Sequence, residues 1–243
     1  MSTDAKSQNK SQNKSYVIPQ PPQAAIAVAG TGKYFPVRRL WCVGRNYVEH
    51  IKEMGNDVRE PPFFFAKPAD AIVPDGGTAP YPSLTRDMHH EVELVVALKS
   101  GGRNIKTENA LDCIYGYGVG IDLTRRDLQI ASRDIKRPWE IGKAFDHSAP
   151  CGPLKPAAET GHPAQGRITL KVNGKVRQDG DLNQMIWKVP EIIAKLSEMV
   201  ELAPGDVIMT GTPSGVAATI AGDAIECEVE GVGKLNVTIG QPL

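Results

Sequence analysis

The stretch EVELVVAL, residues 91–98, predicts both a central β-strand and a candidate site. Every second side chain from Val92 onward is apolar and lies on one face of an extended chain, whereas Glu91 and Glu93 lie on the other. The two carboxylates would be roughly 7 Å apart, a separation that one cation can bridge. An isolated E-x-E is more often a solvated strand face, so the interpretation depends on what else the chain brings to this strand.

The next predicted strand, IYGYGVGIDL at residues 114–123, leads to a third acid. Three glycines at alternate positions remove the side chains from one face, so backbone or ligand must pack closely against it. The strand ends at Asp122, which with the two glutamates predicts a site for Mg²⁺ or Mn²⁺, because zinc favours Cys and His ligands. His89 and His90 stay open as further ligands, although a structural imidazole is the more common role.

The rest of the chain also favours short strands over long helices. The 19 prolines and 24 glycines divide it into short segments. Further strands are predicted at 38–43 and 63–65, and residues 167–178 are predicted to form a hairpin closed by an N-G turn. An amphipathic helix is predicted at 189–202. The expected fold is therefore α+β and mainly β.

Composition argues against several functional classes. The formal charges balance at 28 positive and 28 negative, which gives no electrostatic reason to expect nucleic acid or an anionic membrane as a partner. No apolar run is long enough to span a bilayer. The four cysteines form no C-x-x-C pair, which argues against a zinc knuckle or a disulfide scaffold. We expect a small-molecule partner and a reducing cytoplasm.

The beginning of the chain predicts a disordered tail followed by one domain. It contains a duplicated S-Q-N-K and a proline-rich stretch, with almost no apolar content. No apolar segment follows its basic residues as a secretory signal would require. We expect a tail over residues 1–23 and a single domain over residues 24–243.

Two further groups of residues are candidates for catalysis. His50 and Glu53 are three residues apart on a helix predicted after G-R-N-Y, so the carboxylate can orient the imidazole as a general base. Lys143 lies among apolar and aromatic residues that would desolvate its ammonium and direct it at an oxyanion. On local sequence alone, a solvated helix and a surface lysine remain open as the alternative interpretations.

Candidate substrate-binding groups follow the third acid and recur near the end of the chain. Arg126 and Gln129 share a face of a predicted helix and suit recognition of a carboxylate or keto group. The segment TGTPSGV, residues 210–216, offers backbone N–H groups and hydroxyls, as an anion-binding turn would. It lacks the lysine and the spacing of a P-loop, so nucleotide binding is disfavoured.

Seven motifs, taken together and in chain order, resemble those of the fumarylacetoacetate hydrolase superfamily. They are G-R-N-Y-x-x-H-x-x-E, F-x-K-P, H-H-E-V-E-L, Y-G-Y-x-x-x-x-D-x-T-x-R-D-x-Q, P-W-x-x-x-K-x-F, K-V-N-G-x-x-R-Q-x-G and L-x-x-G-D-x-I-x-T-G-T-P-x-G-V. The resemblance covers about residues 37–239. It implies a mixed β-sandwich roll with short peripheral helices, assembled as a homodimer.

The resemblance also implies roles for individual residues. The ligands of Mg²⁺ or Mn²⁺ would be Glu91, Glu93 and Asp122, and a lid helix would carry the catalytic pair His50 and Glu53. The residues that match substrate-site positions of the family are Lys67, Arg126, Gln129, Lys143 and Thr212. The candidates for binding a distal carboxylate are Arg45, Arg59 and Arg126.

The activity implied by the resemblance is metal-dependent hydrolysis of a carbon–carbon bond in an acylpyruvate. The segments REPPFFFAKPADA and DLNQMIW are most similar to members that convert fumarylpyruvate to fumarate and pyruvate in gentisate catabolism. The same parts also serve oxaloacetate decarboxylases and isomerases, and fold analogy does not separate these activities. A non-catalytic metal-binding scaffold is less favoured, because the His-Glu pair and Lys143 are all present.

Overall fold

The computed structural model describes residues 15–47 and 60–242, and strands dominate this part of the chain. Its strands are β1 (Ala25–Ala27), β2 (Tyr34–Pro36), β3 (Arg39–Gly44), β4 (Phe63–Lys67), β5 (Ile72–Pro74), β6 (Thr78–Pro80), β7 (Met88–His90), β8 (Val92–Leu98), β9 (Ile114–Ile121), β10 (Thr124–Arg125), β11 (Ala149–Cys151), β12 (Lys155–Pro156), β13 (Arg167–Val172), β14 (Lys175–Asp181), β15 (Asp206–Met209), β16 (Ala217–Thr219), β17 (Ala224–Val229) and β18 (Gly233–Gly240). Its α-helices are α1 (Arg126–Asp134), α2 (Glu140–Lys143), α3 (Ala157–Thr160) and α4 (Val189–Met199), and its 3₁₀ helices are Ala69–Ala71, Thr107–Cys113 and Leu182–Gln184. The expectation of a mainly β fold is confirmed.

The largest sheet runs in the order β4-β3-β15-β8-β9-β11-β5, and β12 also pairs with β9. The β3–β15 and β5–β11 pairs are parallel and the rest are antiparallel, so the sheet is mixed. All seven residues of β8 are buried. The strand predicted at 91–98 therefore exists, but both of its faces are covered and neither is solvated.

A second sheet of five strands, in the order β14-β13-β17-β18-β6, covers one face of β8. Leu94 of β8 belongs to one buried cluster with Ile168 of β13, Ile225 of β17 and Ile192 of α4. The opposite face of β8 packs into a separate cluster with β1, β3, β11 and β15. These layers agree with the predicted sandwich roll with short peripheral helices.

The hairpin predicted at 167–178 forms from β13 and β14. Both residues of its N-G turn, Asn173 and Gly174, have positive φ, at 49° and 74°. A two-residue turn with two positive φ values matches the right-handed twist of the flanking strands, which is why Asn-Gly is favoured there. The helix predicted at 189–202 is also present, as α4.

The alternate glycines of β9 permit close packing, as the sequence predicts. A Cβ at Gly116 would lie 2.3 Å from the carbonyl oxygen of Lys155, and a Cβ at Gly120 would lie 2.5 Å from Met209 Cε. The close neighbours are therefore the backbone of β12 and side chains of the sheet. Because β9 packs closely against β12 and against side chains of β8 and β15, Asp122, which follows β9, is held in a fixed position.

The predicted tail lies partly outside the described residues, since residues 1–14 are not among them. Residues 15–23 form neither helix nor strand and are exposed. Among the described helices, none combines the length and the apolar character needed to cross a bilayer. The division into tail and single domain stays a prediction.

Candidate metal centre and substrate cavity

Glu91, Glu93 and Asp122 come together at the junction of two sheets. β8 and β9 pair antiparallel with Val92 opposite Ile121, so the start of β8 lies beside the end of β9. The flanking strands β7 and β10, which belong to another sheet, pair with His89 opposite Thr124. The backbone N–H of Asp122 donates to the carbonyl of Glu91 at 2.8 Å. One carboxylate oxygen from each of the three acids lies within 4.8 Å of the others. All three side chains are buried, so the interpretation as a solvated strand face is wrong.

The donor set fits a hard divalent cation. Three carboxylates offer only oxygen ligands, which suit Mg²⁺ and Mn²⁺ better than zinc. Asp122 Oδ1 makes no aligned hydrogen bond within the described residues, although the Lys67 ammonium lies 2.8 Å from it. A buried carboxylate oxygen without a directed donor is an expected feature of a metal ligand.

Charge in this cluster is incompletely balanced. Burial raises the pKa of Glu93 well above its usual range, and the neighbouring Asp122 and Glu91 raise it further. Burial also acts to raise the pKa of Glu91, but Lys143 and Arg126 outweigh it and hold that pKa below its usual range. A cation beside Glu93 would supply the positive charge that its own surroundings lack.

Lys143 lies inside the acidic cluster and not at the surface. Its side chain is 2% exposed, and its ammonium donates to Glu91 Oε2 at 2.8 Å, to Asp122 Oδ2 at 2.6 Å and to Thr124 Oγ1 at 2.7 Å. Burial lowers the pKa of Lys143, but the carboxylates of Asp122 and Glu91 outweigh this and raise it overall. The interpretation as a surface lysine is therefore wrong.

Lys67, at the end of β4, lies behind the cluster. Its buried ammonium donates to the carbonyl oxygens of Leu123 at 2.9 Å and Lys143 at 2.5 Å, besides its ion pair with Asp122. These contacts hold the backbone on either side of the site. A direct contact between Lys67 and a substrate stays a prediction.

Arg126 and Gln129 line the cavity from α1. Arg126 forms an ion pair with Glu91 and donates to Gln129 Oε1 at 2.5 Å, and its Nε lies 3.4 Å from His89 Nδ1. His89 Nε2 is 2.9 Å from Asp87 Oδ1. Arg126 and Gln129 therefore lie together, as their shared helix face predicts. The guanidinium is also fixed beside Glu91, a candidate metal ligand.

The 210–216 segment closes another side of the site. The backbone N–H of Gly211 donates to Glu93 Oε2 at 2.7 Å. A Cβ at Gly211, whose φ is 96°, would lie 2.7 Å from Asn46 Cβ, so glycine is required here. Thr212 Oγ1 accepts a hydrogen bond of 2.7 Å from Gln178 Nε2. This turn therefore binds a carboxylate of the protein itself.

The cavity above the acids has a volume of about 380 Å³ and is lined by acidic, basic and aromatic side chains. We call the three acids with Lys143 and Thr212 its acidic part, and Trp139 with Arg45 its distal part. The Phe65 ring adjoins both, with its centroid 5.1 Å from Lys143 Nζ and 6.1 Å from the centre of the Trp139 ring. The Arg45 guanidinium is 5.7 Å from the centre of the Trp139 ring. The backbone φ of Arg45 is 57°, in the left-handed region that a bulky non-glycine residue rarely adopts.

Some predicted site residues lie outside the described part of the chain. The pair His50 and Glu53 is among them, and so is Arg59. Their roles stay predictions from the sequence.

Comparison with known proteins identifies the family. The family model described as fumarylacetoacetate (FAA) hydrolase C-terminal matches residues 39–240. The chain belongs to the fumarylacetoacetate hydrolase family. The match covers every described candidate residue of the site, from Arg45 to Thr212.

Three known proteins illustrate what the chain is similar to. A crystal structure of fumarylpyruvate hydrolase from Pseudomonas aeruginosa in complex with Mn²⁺ and pyruvate has a TM-score of 0.90 at 48% identity, and the match covers 93% of this chain and 100% of that one. The fumarylpyruvate hydrolase of a Ralstonia species is 42% identical over 181 residues, 74% of this chain and 94% of the relative. The mitochondrial oxaloacetate tautomerase of Rattus norvegicus is 39% identical over 211 residues, 84% of this chain and 96% of the relative.

Two residues at the candidate site of this protein, Gln178 and Trp139, were not predicted as site residues from the sequence. Gln178 is fully buried and bridges His90 and Thr212, and Trp139 lines the cavity beside Arg45. The motifs around them, R-Q-x-G and P-W-x-x-x-K, are visible in the sequence. Their contacts are not, because the partners are distant along the chain.

Proposed function

We propose that this protein is a metal-dependent hydrolase that cleaves the carbon–carbon bond of an acylpyruvate, with fumarylpyruvate as its substrate and fumarate and pyruvate as its products. The observation that carries the proposal is the two-part cavity, in which an acidic centre with a buried lysine adjoins an aromatic wall with an arginine. Such a cavity suits a molecule with an α-keto acid at one end and a planar acyl group ending in a carboxylate at the other. The similarity to fumarylpyruvate hydrolases supports the same substrate.

The acidic part would bind the pyruvoyl end. Glu91, Glu93 and Asp122 would hold Mg²⁺ or Mn²⁺, which when bound supplies the Lewis-acid charge that makes pyruvate enolate a feasible leaving group. The Thr212 hydroxyl and the Gln129 amide would donate to the pyruvoyl carboxylate and keto oxygens. The buried Lys143 ammonium uses its three N–H groups on Glu91, Asp122 and Thr124. It would exchange one of these hydrogen bonds for a bond to the oxyanion that develops during attack.

Hydrolysis also needs a base for the attacking water. We propose that His50, oriented by Glu53, removes a proton from water, whose oxygen adds to the C4 carbonyl. Collapse of the adduct breaks the C3–C4 bond, and protonation of C3 then completes pyruvate. Support for this step comes from the G-R-N-Y-x-x-H-x-x-E motif alone.

The distal part would bind the fumaryl group. Arg45 is the described arginine best suited to its carboxylate, because Arg126 is already paired with Glu91 and Arg133 is paired with Asp134. Trp139 forms an edge contact with Phe63, with ring centroids 4.8 Å apart, which would keep its ring in place against a planar acyl chain.

The proposal is tested by the ranking of substrates. The purified protein with Mn²⁺ or Mg²⁺ should hydrolyse fumarylpyruvate with a higher kcat/KM than acetylpyruvate, which lacks the distal carboxylate. Arg45→Gln should lower kcat/KM for fumarylpyruvate by about 10- to 100-fold, the usual effect of losing a charged hydrogen bond, and should leave acetylpyruvate almost unaffected. Equal losses on both substrates would rule out Arg45 as the distal contact.

A second candidate function follows from the relative that is an oxaloacetate tautomerase. Oxaloacetate is shorter than fumarylpyruvate, so its second carboxylate would lie nearer to its keto acid and would depend less on Arg45. Interconversion of its enol and keto forms needs no attacking water. A faster turnover of oxaloacetate than of fumarylpyruvate, with no dependence on Arg45, would favour this activity over hydrolysis.

We further propose that the enzyme is a homodimer, as its family resemblance implies. We also propose that it works in the cytoplasm, where a reducing environment suits its four free, buried cysteines. Light scattering of the purified full-length chain measures the assembly, and a monomer at micromolar concentration would contradict it. Fractionation of the source cells tests the compartment.

A further inference from the structure

Gln178 is an anomaly in its strand. It lies on β14, the edge strand of the five-stranded sheet, where the other side chains are exposed or partly exposed, yet Gln178 has no exposed surface. A buried amide is costly unless all of its donors and acceptors are satisfied. The contacts of Gln178 therefore indicate what the residue is for.

Four hydrogen bonds satisfy Gln178 and fix the orientation of its amide. Its Oε1 accepts from the Val92 backbone N–H at 3.0 Å and from His90 Nδ1 at 2.9 Å. Its Nε2 donates to Thr212 Oγ1 at 2.7 Å and to the Pro213 carbonyl at 2.9 Å. Because a backbone N–H only donates and a carbonyl only accepts, the amide cannot be reversed.

This orientation determines the direction of the Thr212 hydroxyl proton. The Gln178 Nε2 group donates to Thr212 Oγ1 and offers no lone pair in return. The hydroxyl proton of Thr212 must therefore point away from Gln178. Since Thr212 lines the cavity next to Gly211, whose N–H is bonded to Glu93, that proton is available to an acceptor beside the acidic centre.

Close packing keeps the 210–216 segment against β14. A Cβ at Gly215 would lie 2.1 Å from the carbonyl oxygen of Arg177, and a Cβ at Gly180 would lie 2.7 Å from Pro213 Cβ. Glycine at both positions lets the backbone of the segment approach Gln178. The hydrogen bond between Gln178 and Thr212 is therefore held by its surroundings and does not depend on the two side chains alone.

We propose that Gln178 is a positioning residue for substrate binding, whose amide turns the Thr212 hydroxyl so that it donates to the carboxylate of a pyruvoyl ligand. The chemical class of the ligand rests on the proposed function. Gln178 touches neither the ligand nor the acids. It acts through Thr212, and it also holds the backbone around Glu91 through His90 and Val92.

A double-mutant cycle with pyruvate as the probe tests this role. Pyruvate is titrated calorimetrically into the Mn²⁺-loaded full-length protein and into Gln178→Glu, Thr212→Val and the double variant. In Gln178→Glu the carboxylate accepts the Thr212 proton and withdraws it from the ligand. Each single substitution should weaken pyruvate binding by about 10-fold or more, and the double variant should be no weaker than Thr212→Val by more than about threefold, because both changes remove one interaction.

Additional variants separate positioning from general structure. Thr212→Ser keeps the hydroxyl and should retain pyruvate affinity within about threefold. Gln178→Met removes both the donor and the acceptor of the amide without adding a buried charge, so it repeats the measurement of pyruvate affinity if Gln178→Glu unfolds. The matched control is Gln184→Glu in the 3₁₀ helix that directly follows β14. Its Oε1 accepts from the Asp181 N–H, a bond that glutamate preserves, so its pyruvate affinity should equal that of the wild type.

The outcomes distinguish this inference from the proposed function. Losses that multiply in the double variant, or wild-type pyruvate affinity in the Gln178 variants, would overturn the positioning role. If the wild-type protein fails to hydrolyse fumarylpyruvate but the pyruvate cycle shows coupling, the proposed hydrolysis fails and the Gln178 role stands. In steady state, Gln178→Glu should raise KM for the acylpyruvate more than it lowers kcat. A wild-type protein that does not bind pyruvate would overturn both.

Discussion

Lys143 supplies positive charge to two of the three buried acids. Its ammonium bonds to Glu91 and Asp122 but not to Glu93, whose carboxylate instead accepts a backbone N–H from Gly211. Charge is therefore distributed unevenly in the cluster. Lys143 stabilises the cluster in the absence of metal, and it is also proposed to stabilise the oxyanion. Thermal stability measures the first role and hydrolysis of the substrate measures the second.

Lys143→Met should destabilise the metal-free protein. Removing one partner of a buried ion pair costs about 3–5 kcal/mol of free energy of unfolding, because the acids left behind are desolvated. For a chain of this size the midpoint of thermal unfolding should fall by roughly 6–20 °C. Mn²⁺ should restore part of this loss by binding the folded state, while hydrolysis of fumarylpyruvate stays lost.

The control for Lys143 is Lys234→Met, which removes a lysine whose side chain is 69% exposed and whose partner, Glu228, is also exposed. Exposed pairs contribute little, so the midpoint should move by about 2 °C or less. Equal midpoints for Lys143→Met and the wild type in EDTA would show that Lys143 does not stabilise the acidic cluster.

At the residue scale, sequence predicts a functional side chain when its type and local spacing are unusual. Glu91 and Glu93 were recognisable because they interrupt an apolar strand, and Asp122 because it ends a strand of alternate glycines. Gln178 was not, since a glutamine in a polar hairpin strand is ordinary. Its hydrogen-bonding partners are 34 and 88 residues away in sequence.

At the element scale, the sequence predicts the features that depend on local residues and does not predict those that depend on long-range contacts. The β13–β14 hairpin follows from its Asn-Gly turn, and β8 follows from its apolar alternation. The sequence does not reveal that both faces of β8 are covered, one by the five-stranded sheet and the other by a separate apolar cluster, because burial depends on which strands return to it. That difference decides whether Glu91 and Glu93 lie in water or in a site.

Gly116→Ala should show how tightly β9 is packed. The added Cβ would lie 2.3 Å from the Lys155 carbonyl oxygen and 3.0 Å from Pro156 Cα, so the backbone of β12 must move. Overpacking of this kind costs about 1–3 kcal/mol, which lowers the thermal midpoint by roughly 2–12 °C. Gly116 is six residues from Asp122, so the folded variant should keep its Mn²⁺ affinity.

Gly233→Ala provides the matched comparison for Gly116, because it is a strand glycine in β18 with nothing within 4 Å of an added Cβ. Its thermal midpoint should stay within about 2 °C of the wild type. If both variants unfold at the same temperature as the wild type, the close approach of β12 to β9 does not contribute to stability.

At the scale of the whole molecule, the acidic centre connects parts of the chain that are far apart in sequence. Glu91 lies between β7 and β8, Asp122 follows β9, and Glu93 is bonded to the segment after β15. The distal wall adds Arg45 after β3 and Trp139 before α2. A cation at the centre would therefore join the large sheet to its connecting segments, and its binding should be measurable as global stability.

Mn²⁺ should raise the thermal midpoint of the wild type, and Glu93→Gln should remove that response. At a Mn²⁺ concentration about 100 times its Kd, ligand binding adds about 2.7 kcal/mol to the free energy of unfolding, or roughly 5–10 °C. Glutamine keeps an oxygen for the Gly211 N–H but removes one of three buried negative charges. The metal-free variant should therefore be at least as stable as the wild type, whereas most substitutions of buried residues destabilise.

The control is Glu226→Gln, on the exposed face of β17, which should retain the full Mn²⁺ response. A Glu93→Gln protein that unfolds earlier in EDTA and responds to Mn²⁺ like the wild type would mean that Glu93 is not a metal ligand.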